Sequence, residues 1–332
     1  MTNKRNWDAI TNFLENKKRL LITTHAHPDG DAIGSQIALA GFLRKSGKEA
    51  VLINCDITPK FFQFLDENNE IQTYVGKEHD ELIRSTDGAI IVDISDWARL
   101  RQVGEAIRRF NLPVACIDHH IPSDDMGQAV VSDQTASSTG ELLYDLIANS
   151  PVEMDQQIVN ALYTCILTDT GSFRFSNTTP TTHQVTADLL RRGAEFRKVY
   201  ERVYENNSKS RSLLMGNLLA NMHFECNDQL VWFVLTQELL QKTGAEMWET
   251  EGFSELPRSI AGVEVSLMFT ETKDGTTKVS FRSKGRIAIN GLANKFGGGG
   301  HKFASGATTT MGLQEALHTV LEETKKLVNN SI

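Results

Sequence analysis

Three short apolar runs, Leu20–Ile22, Ala89–Val92 and Val114–Ile117, each lead into histidine or aspartate within a few residues. No other feature of this chain narrows its fold as far. The first run leads into His25-Ala26-His27-Pro28-Asp29-Gly30-Asp31, the second into Asp93 with Asp96 three residues on, the third into Asp118-His119-His120. Each run reads as a buried strand, and helical spacing lies between them, at Ala32–Lys45 and Arg99–Phe110. Strands alternating with helices make a mostly parallel sheet whose strand C-termini share one edge, so the three clusters converge on one crevice. Within the first cluster Pro28 fixes one φ and Gly30 frees another position, which lets Asp29 and Asp31 be aimed separately. Carboxylates packed so closely repel and raise each other's pKa, and a bound cation removes the conflict. The plainer alternative is a polar turn with Asp31 as N-cap. Three or four potential ligands in seven residues count against it.

A longer helix opens near Asp155. Its positions Ile158, Ala161, Leu162, Cys165 and Ile166 form one buried face, and it runs into Thr168-Asp169-Thr170-Gly171. Asp169 thus falls at a helix C-terminus, which disfavours negative charge unless a cation is near. Around this frame the spacing predicts a helix over Asp8–Asn16, a strand over Ala50–Asn54 and a core cluster of Phe61, Phe62 and Phe64. Further helices are predicted after Ser137–Gly140, over His183–Arg192 and over Phe196–Asn206. Asn206-Asn207-Ser208 reads as a hinge, which divides the chain into a first domain at 1–206, a connecting helix at 207–224 and a smaller α/β domain at 225–332. In the last, strands are expected at Leu230–Leu235, Val263–Phe269 and Thr277–Phe281, with a helix near Leu239 and a short one at Gly291–Phe296. Gly297–Gly300 and His301 follow as a loop, then an amphipathic helix at Leu313–Val328. The expected class is α/β: a mostly parallel sheet with helices on both faces, plus a smaller α/β C-terminal domain.

At 332 residues, 40% hydrophobic and 23% charged, the chain can bury two cores. No apolar run approaches the roughly 20 residues of a membrane helix, and Met1–Trp7 lacks a signal-peptide core, so a cytoplasmic protein with no membrane partner is expected. A net charge of −8 argues against a groove for duplex or long single-stranded nucleic acid. Cys55, Cys116, Cys165 and Cys226 form no C-x-x-C pair and read as buried free thiols rather than zinc ligands. From Gly275 to Gln314 there is no acid, but there are Lys278, Arg282, Lys284, Arg286, Lys295 and Lys302. So short a basic zone suits an anionic ligand of limited length, or is a solvated basic face. The glycine run beside His301 favours the ligand, because it lets backbone N–H groups approach a phosphate.

The sheet-edge inventory of His25, His27, Asp29, Asp31, Asp93, Asp118, His119, His120 and Asp169 exceeds the needs of one metal. A mixed His/carboxylate set without thiolates suits Mn²⁺, with Mg²⁺, Co²⁺ or Fe²⁺ as options. Two such ions bridged by one carboxylate could activate water and neutralise an attacked phosphoryl group.

With His25-x-His27-Pro28-Asp29-Gly30-Asp31, Val92-Asp93, Asp118-His119-His120, Thr168-Asp169-Thr170-Gly171 and Gly298-Gly299-Gly300-His301 in this order, the chain resembles the DHH phosphoesterase family with its DHH-associated C-terminal domain. Within that family it is most similar to the nanoRNase/3′-phosphoadenosine-5′-phosphate phosphatase subgroup. The resemblance covers nearly the whole chain. It implies one cation on His25, Asp29 and Asp93 and a second on Asp31, Asp93, His119 and Asp169, with Asp93 bridging. It further implies that His120 contacts the scissile phosphate, that Asp118 orients the histidines, and that His27 is a turn residue. Arg282, His301 and the Gly299-Gly300 backbone would hold the far end of a nucleotide. Where many relatives have Asp-Thr, this chain has Asp93-Ile94, and position 94 is not a ligand. The implied activity is hydrolysis of very short oligoribonucleotides to 5′-mononucleotides, of the bisphosphonucleoside to AMP, or both, with a homodimer as one possible assembly. Rival expectations are a phosphodiesterase for linear or cyclic dinucleotides, an inorganic pyrophosphatase, a RecJ-type exonuclease and, from another class, a non-catalytic nucleotide sensor. The pyrophosphatase lacks the Gly-rich His motif, the exonuclease would carry another nucleic-acid-binding domain, and a sensor should have lost a ligand.

Overall fold

A six-stranded parallel sheet in the order β3-β2-β1-β4-β5-β6 forms the centre of the first of two compact units, residues 1–206 and 207–332. The computed structural model describes residue 5 and residues 7–331, so most of the N-terminal stretch read for a leader lies outside the described residues. The strands are β1 (Arg19–Thr23), β2 (Glu49–Asn54), β3 (Gln72–Thr73), β4 (Gly88–Val92), β5 (Val114–Asp118) and β6 (Ala129–Ser132). The helices are α1 (Asp8–Glu15), α2 (Gly30–Lys45), α3 (Lys77–Arg84), α4 (Arg101–Arg109), α5 (Thr139–Ala148), α6 (Gln156–Asp169), α7 (Pro180–Arg191) and α8 (Phe196–Tyr204).

Both faces of this sheet are covered, which is why β4 and β5 are buried at every position. Along β1 the side chains alternate: Leu20 and Ile22 enter a core shared with Ile37, Leu43, Leu142 and Ile166, while Leu21 enters a second one with Ile83, Ile91, Val103 and Ile107. Strand order reverses direction between β1 and β4, the two central neighbours. Their C-terminal ends diverge into oppositely running connections there, opening the crevice in which such sheets place ligands.

The second unit holds α9 (Lys209–Ala220), β7 (His223–Glu225), β8 (Leu230–Leu235), α10 (Gln237–Thr243), β9 (Val265–Glu271), β10 (Thr277–Ser283), α11 (Asn290–Lys295), β11 (Gly299–His301), β12 (Ala304–Thr309) and α12 (Leu313–Asn329). Its mixed sheet runs β11-β12-β10-β9-β8-β7, with β8 and β9 parallel and the other pairs antiparallel. Leu267 and Phe269 pack with Val320 and Leu321 of α12, and Met268 packs on the opposite face with Leu214 and Leu218. Segment 207–224, expected as a connector, therefore gives α9 to the second core and adds the edge strand β7.

The glycine run also departs from expectation. Gly299–His301 is not a loop but an edge strand paired with β12. At Gly298 a Cβ would fall 2.1 Å from the Gly306 carbonyl oxygen, so only glycine lets the two strands approach there. Strands β3, β6, β7, β11 and β12 and helix α3 had no sequence expectation. Cys116 and Cys165 are buried, Cys55 and Cys226 are half-exposed, and all four are free thiols. Among the described residues no helix is long and apolar enough to cross a membrane.

Candidate metal centre

Asp93 closes β4 in the left-handed region, at φ 62°. Aspartate tolerates that conformation better than most residues, and non-glycine residues held there cluster at functional sites. Its backbone N–H still pairs with the Ile117 carbonyl at 3.0 Å, so the strand ends in register while the carboxylate sits at the sheet edge. The two carboxylate oxygens serve different neighbours. Oδ2 lies 3.5 Å from His25 Nε2 and Oδ1 lies 3.6 Å from His119 Nε2.

Three groups of potential ligand atoms result, each spanning no more than 4.8 Å: His25, Asp29 and Asp93; Asp31, His119 and Asp169; and Asp93, His119 and His120. The local folding behind them is specific. Asp29, not Asp31, is the N-cap of α2, and its Oδ1 accepts from the Asp31 and Ala32 amides at 3.1 Å. Asp31 in the first turn is held by another helix N-terminus: the Thr139 amide donates to Oδ2 at 2.7 Å and the Gly140 amide to Oδ1 at 3.0 Å. Glycine is required at 140, since a Cβ there would lie 2.2 Å from Cys165 Cβ on α6. The Thr139 hydroxyl donates to Asp93 Oδ1 at 2.9 Å. Asn177 reaches Asp169 from the α6–α7 connection, its Nδ2 lying 3.3 Å from Oδ2.

Electrostatically the group is out of balance by itself. Burial, and then the neighbouring Asp31, Asp29 and Asp169, push the Asp93 carboxyl well above the usual range. Burial and the Asp31 and Asp29 charges do the same to Asp169. Burial lowers His25, which favours the neutral imidazole that a metal needs. Asp118 behaves differently: burial works to raise its pKa, but hydrogen bonds from His120 and Ser95 outweigh that and hold it low. The Ser95 hydroxyl donates to Oδ2, and His120 Nδ1 lies 2.8 Å from Oδ1.

His119 supplies the test of whether a cation fits. Its Nδ1 faces the Ala136 carbonyl at 3.3 Å, which leaves Nε2 as the lone-pair nitrogen. That Nε2 is buried without a hydrogen-bond partner, yet carboxylate oxygens of Asp31, Asp93 and Asp169 stand 3.6–3.7 Å away. Such spacing is too long for a hydrogen bond. Two ligand atoms each about 2.1 Å from one cation and about 110° apart lie about 3.4 Å from each other. The donor set therefore fits a divalent cation.

His27 lies outside this set. It is exposed in the left-handed region, with its ring beside Arg101 and Asp56. The residues expected in the second unit form their own row. Arg282 and His301 both register with Ala304, from β10 and β11 respectively, so they present the same face of the sheet. Gly299 is half-buried, and Gly300 and His301 are exposed. The basic zone is narrower than its linear count, because acids from elsewhere in the unit pair with three of its cations: Glu255 with Arg282, Glu264 with Arg286 and Glu323 with Lys295. Ser95, Arg99, Thr139 and Asn177 had no role in the sequence reading. Only the Ser/Thr-rich start of α5 carried a signal, that of a helix N-terminus able to hold an anion.

Residues 19–168 match the DHH family, N-terminal domain, and residues 230–330 match the DHHA1 domain. The bifunctional oligoribonuclease and PAP phosphatase NrnA of Thermus thermophilus is 35% identical over 308 residues, covering 92% of this chain and 89% of that protein. Its namesake in Bacillus subtilis is 28% identical over 294 residues, covering 87% of this chain and 88% of that one. The crystal structure of an exopolyphosphatase-related protein from Bacteroides fragilis matches with a TM-score of 0.93 at 29% identity, covering 99% of this chain and 100% of that one.

Proposed function

The chain belongs to the DHH family and carries that family's DHHA1 domain, and on that premise we propose that it is a two-metal phosphoesterase of the cytoplasm. Its substrates are very short oligoribonucleotides, cleaved to 5′-mononucleotides, and 3′-phosphoadenosine 5′-phosphate, cleaved to AMP. Its relatives from Thermus thermophilus and Bacillus subtilis carry both activities in their names.

The observation that carries this reading is Asp93, whose two oxygens face different histidines and so join two ligand sets. One cation would be held by His25, Asp29 and Asp93, the other by Asp31, Asp93, His119 and Asp169. Manganese suits this oxygen-rich set with its imidazoles, though Mg²⁺ shares the preference for oxygen. When bound, the cations supply Lewis acidity, lowering the pKa of water and offsetting phosphoryl charge. The protein supplies the rest. His120 donates Nδ1–H to Asp118, which fixes the ring that contacts the scissile phosphate. The paired α5 amides on Asp31 hold one ligand without help from substrate. In the second unit, Arg282, His301 and the Gly299-Gly300 backbone bind the nucleotide.

Asp93→Ala tests the reading. Turnover should vanish, and elemental analysis should find fewer than two cations per chain in a protein with unchanged circular dichroism. Retention of both cations would falsify the bridging role.

A further inference from the structure

Arg99 lies in the turn between β4 and α4 and has no part in the chemistry above. Its side chain is exposed, and its Nη2 stands 2.9 Å from His25 Nδ1. Among the described residues it is the one Lys or Arg within hydrogen-bond distance of His25, Asp29, Asp31, Asp93, His119 or Asp169, and it forms no ion pair with a carboxylate. We propose that Arg99 contacts the phosphate undergoing hydrolysis and favours dianionic phosphomonoesters over monoanionic phosphodiesters. The inference rests on the phosphoesterase reading and adds a specificity residue to that site.

Charge is the first reason. Five ionised carboxylates (Asp29, Asp31, Asp93, Asp118 and Asp169) around two divalent cations leave one negative charge uncompensated. A diester phosphate brings one more negative charge, and a monoester brings about two. The guanidinium is the neighbouring group able to offset them, so its removal weighs more on the dianion.

The second reason is the occupancy of His25 Nδ1. The Ala26 carbonyl oxygen also lies 2.9 Å from that nitrogen, which can serve only one of the two partners. For Nε2 to offer its lone pair to a cation, Nδ1 must carry the proton and donate it to Ala26. A protonated Nδ1 cannot accept from Arg99. With a cation on Nε2, Nδ1 would donate to Ala26, and the exposed guanidinium beside the ring would be able to pair with an arriving phosphate.

The test compares wild type, Arg99→Gln and Arg99→Lys, each loaded with Mn²⁺ and checked for two cations per chain. The readouts are kcat/KM on 3′-phosphoadenosine 5′-phosphate and on diadenylate, and the affinity of inorganic phosphate by calorimetry. Arg99→Gln should keep both cations and lose about ten- to hundredfold on the monoester. The diester loss should be about tenfold smaller, phosphate should bind about tenfold more weakly, and Arg99→Lys should recover part of each. Equal losses on both esters, unchanged phosphate affinity, or a missing cation (which would make Arg99 a mere support for His25) overturns the proposal. Wild-type protein that turns over neither ester contradicts the phosphoesterase reading instead. Phosphate titration still decides the role of Arg99 in that case.

Discussion

At Asp93 and Asp169 the folded chain holds two carboxyls whose protons are released less readily than in the unfolded chain, through burial and mutual repulsion. In metal-free protein this favours the fold fully below the unfolded carboxylate value of about 3.9 and is lost as pH rises through the raised folded values. A cation reverses the preference, because it binds only the ionised groups. The rise in Tm on adding Mn²⁺ should therefore be larger at pH 8 than at pH 5, as scanning calorimetry on chelator-treated protein can show. An equal rise at both pH values would mean that these carboxyls are not the ligands. The convergence of these His and Asp residues was legible, since polar groups of this kind directly after apolar strands have few other reasons to be there. Ser95 and Arg99 were not, and Thr139 was legible only as part of a helix start. Each acts on a residue brought near by the fold, Thr139 on Asp31 across 108 positions and Arg99 on His25 across 74.

Among the elements, the long buried strands and amphipathic helices could be read from apolar spacing, and the short edge strands could not. Strand β11 is two glycines and a histidine, a composition that carries no strand signal and that only its pairing with β12 turns into one. The linear basic zone misled for a related reason: Glu255, Glu264 and Glu323 reach it from outside the run. The row across β10, β12 and β11 still presents Arg282 and His301 on one face. Replacing either by alanine should cost about ten- to hundredfold in affinity for nucleotides and much less for bis-p-nitrophenyl phosphate, with both cations retained. Arg282→Ala should leave the fold intact, because Glu255 keeps Arg258 at 2.8 Å as a partner. Equal losses on both substrates would make this row a solvated face rather than a selectivity device.

For the whole molecule, a parallel sheet whose order reverses beside β1 explains why clusters from separate stretches of sequence, residues 25–31, 93 and 118–120, form one centre. The same chain carries a net charge of −8 and a basic zone already partly paired, so it offers few cations to a long polyanion. Rates should accordingly fall steeply beyond about five nucleotides, because further phosphates release few counterions on binding. Initial rates on a 5′-labelled RNA ladder and on 3′-phosphoadenosine 5′-phosphate, measured with Mn²⁺, after chelation and after Mn²⁺ is restored, test the account most directly. The expected result is mononucleotides from the shortest RNAs and AMP from the bisphosphonucleoside, both abolished by chelation and both recovered with the metal. Turnover that survives chelation, or long RNA degraded as fast as a dimer, would contradict it.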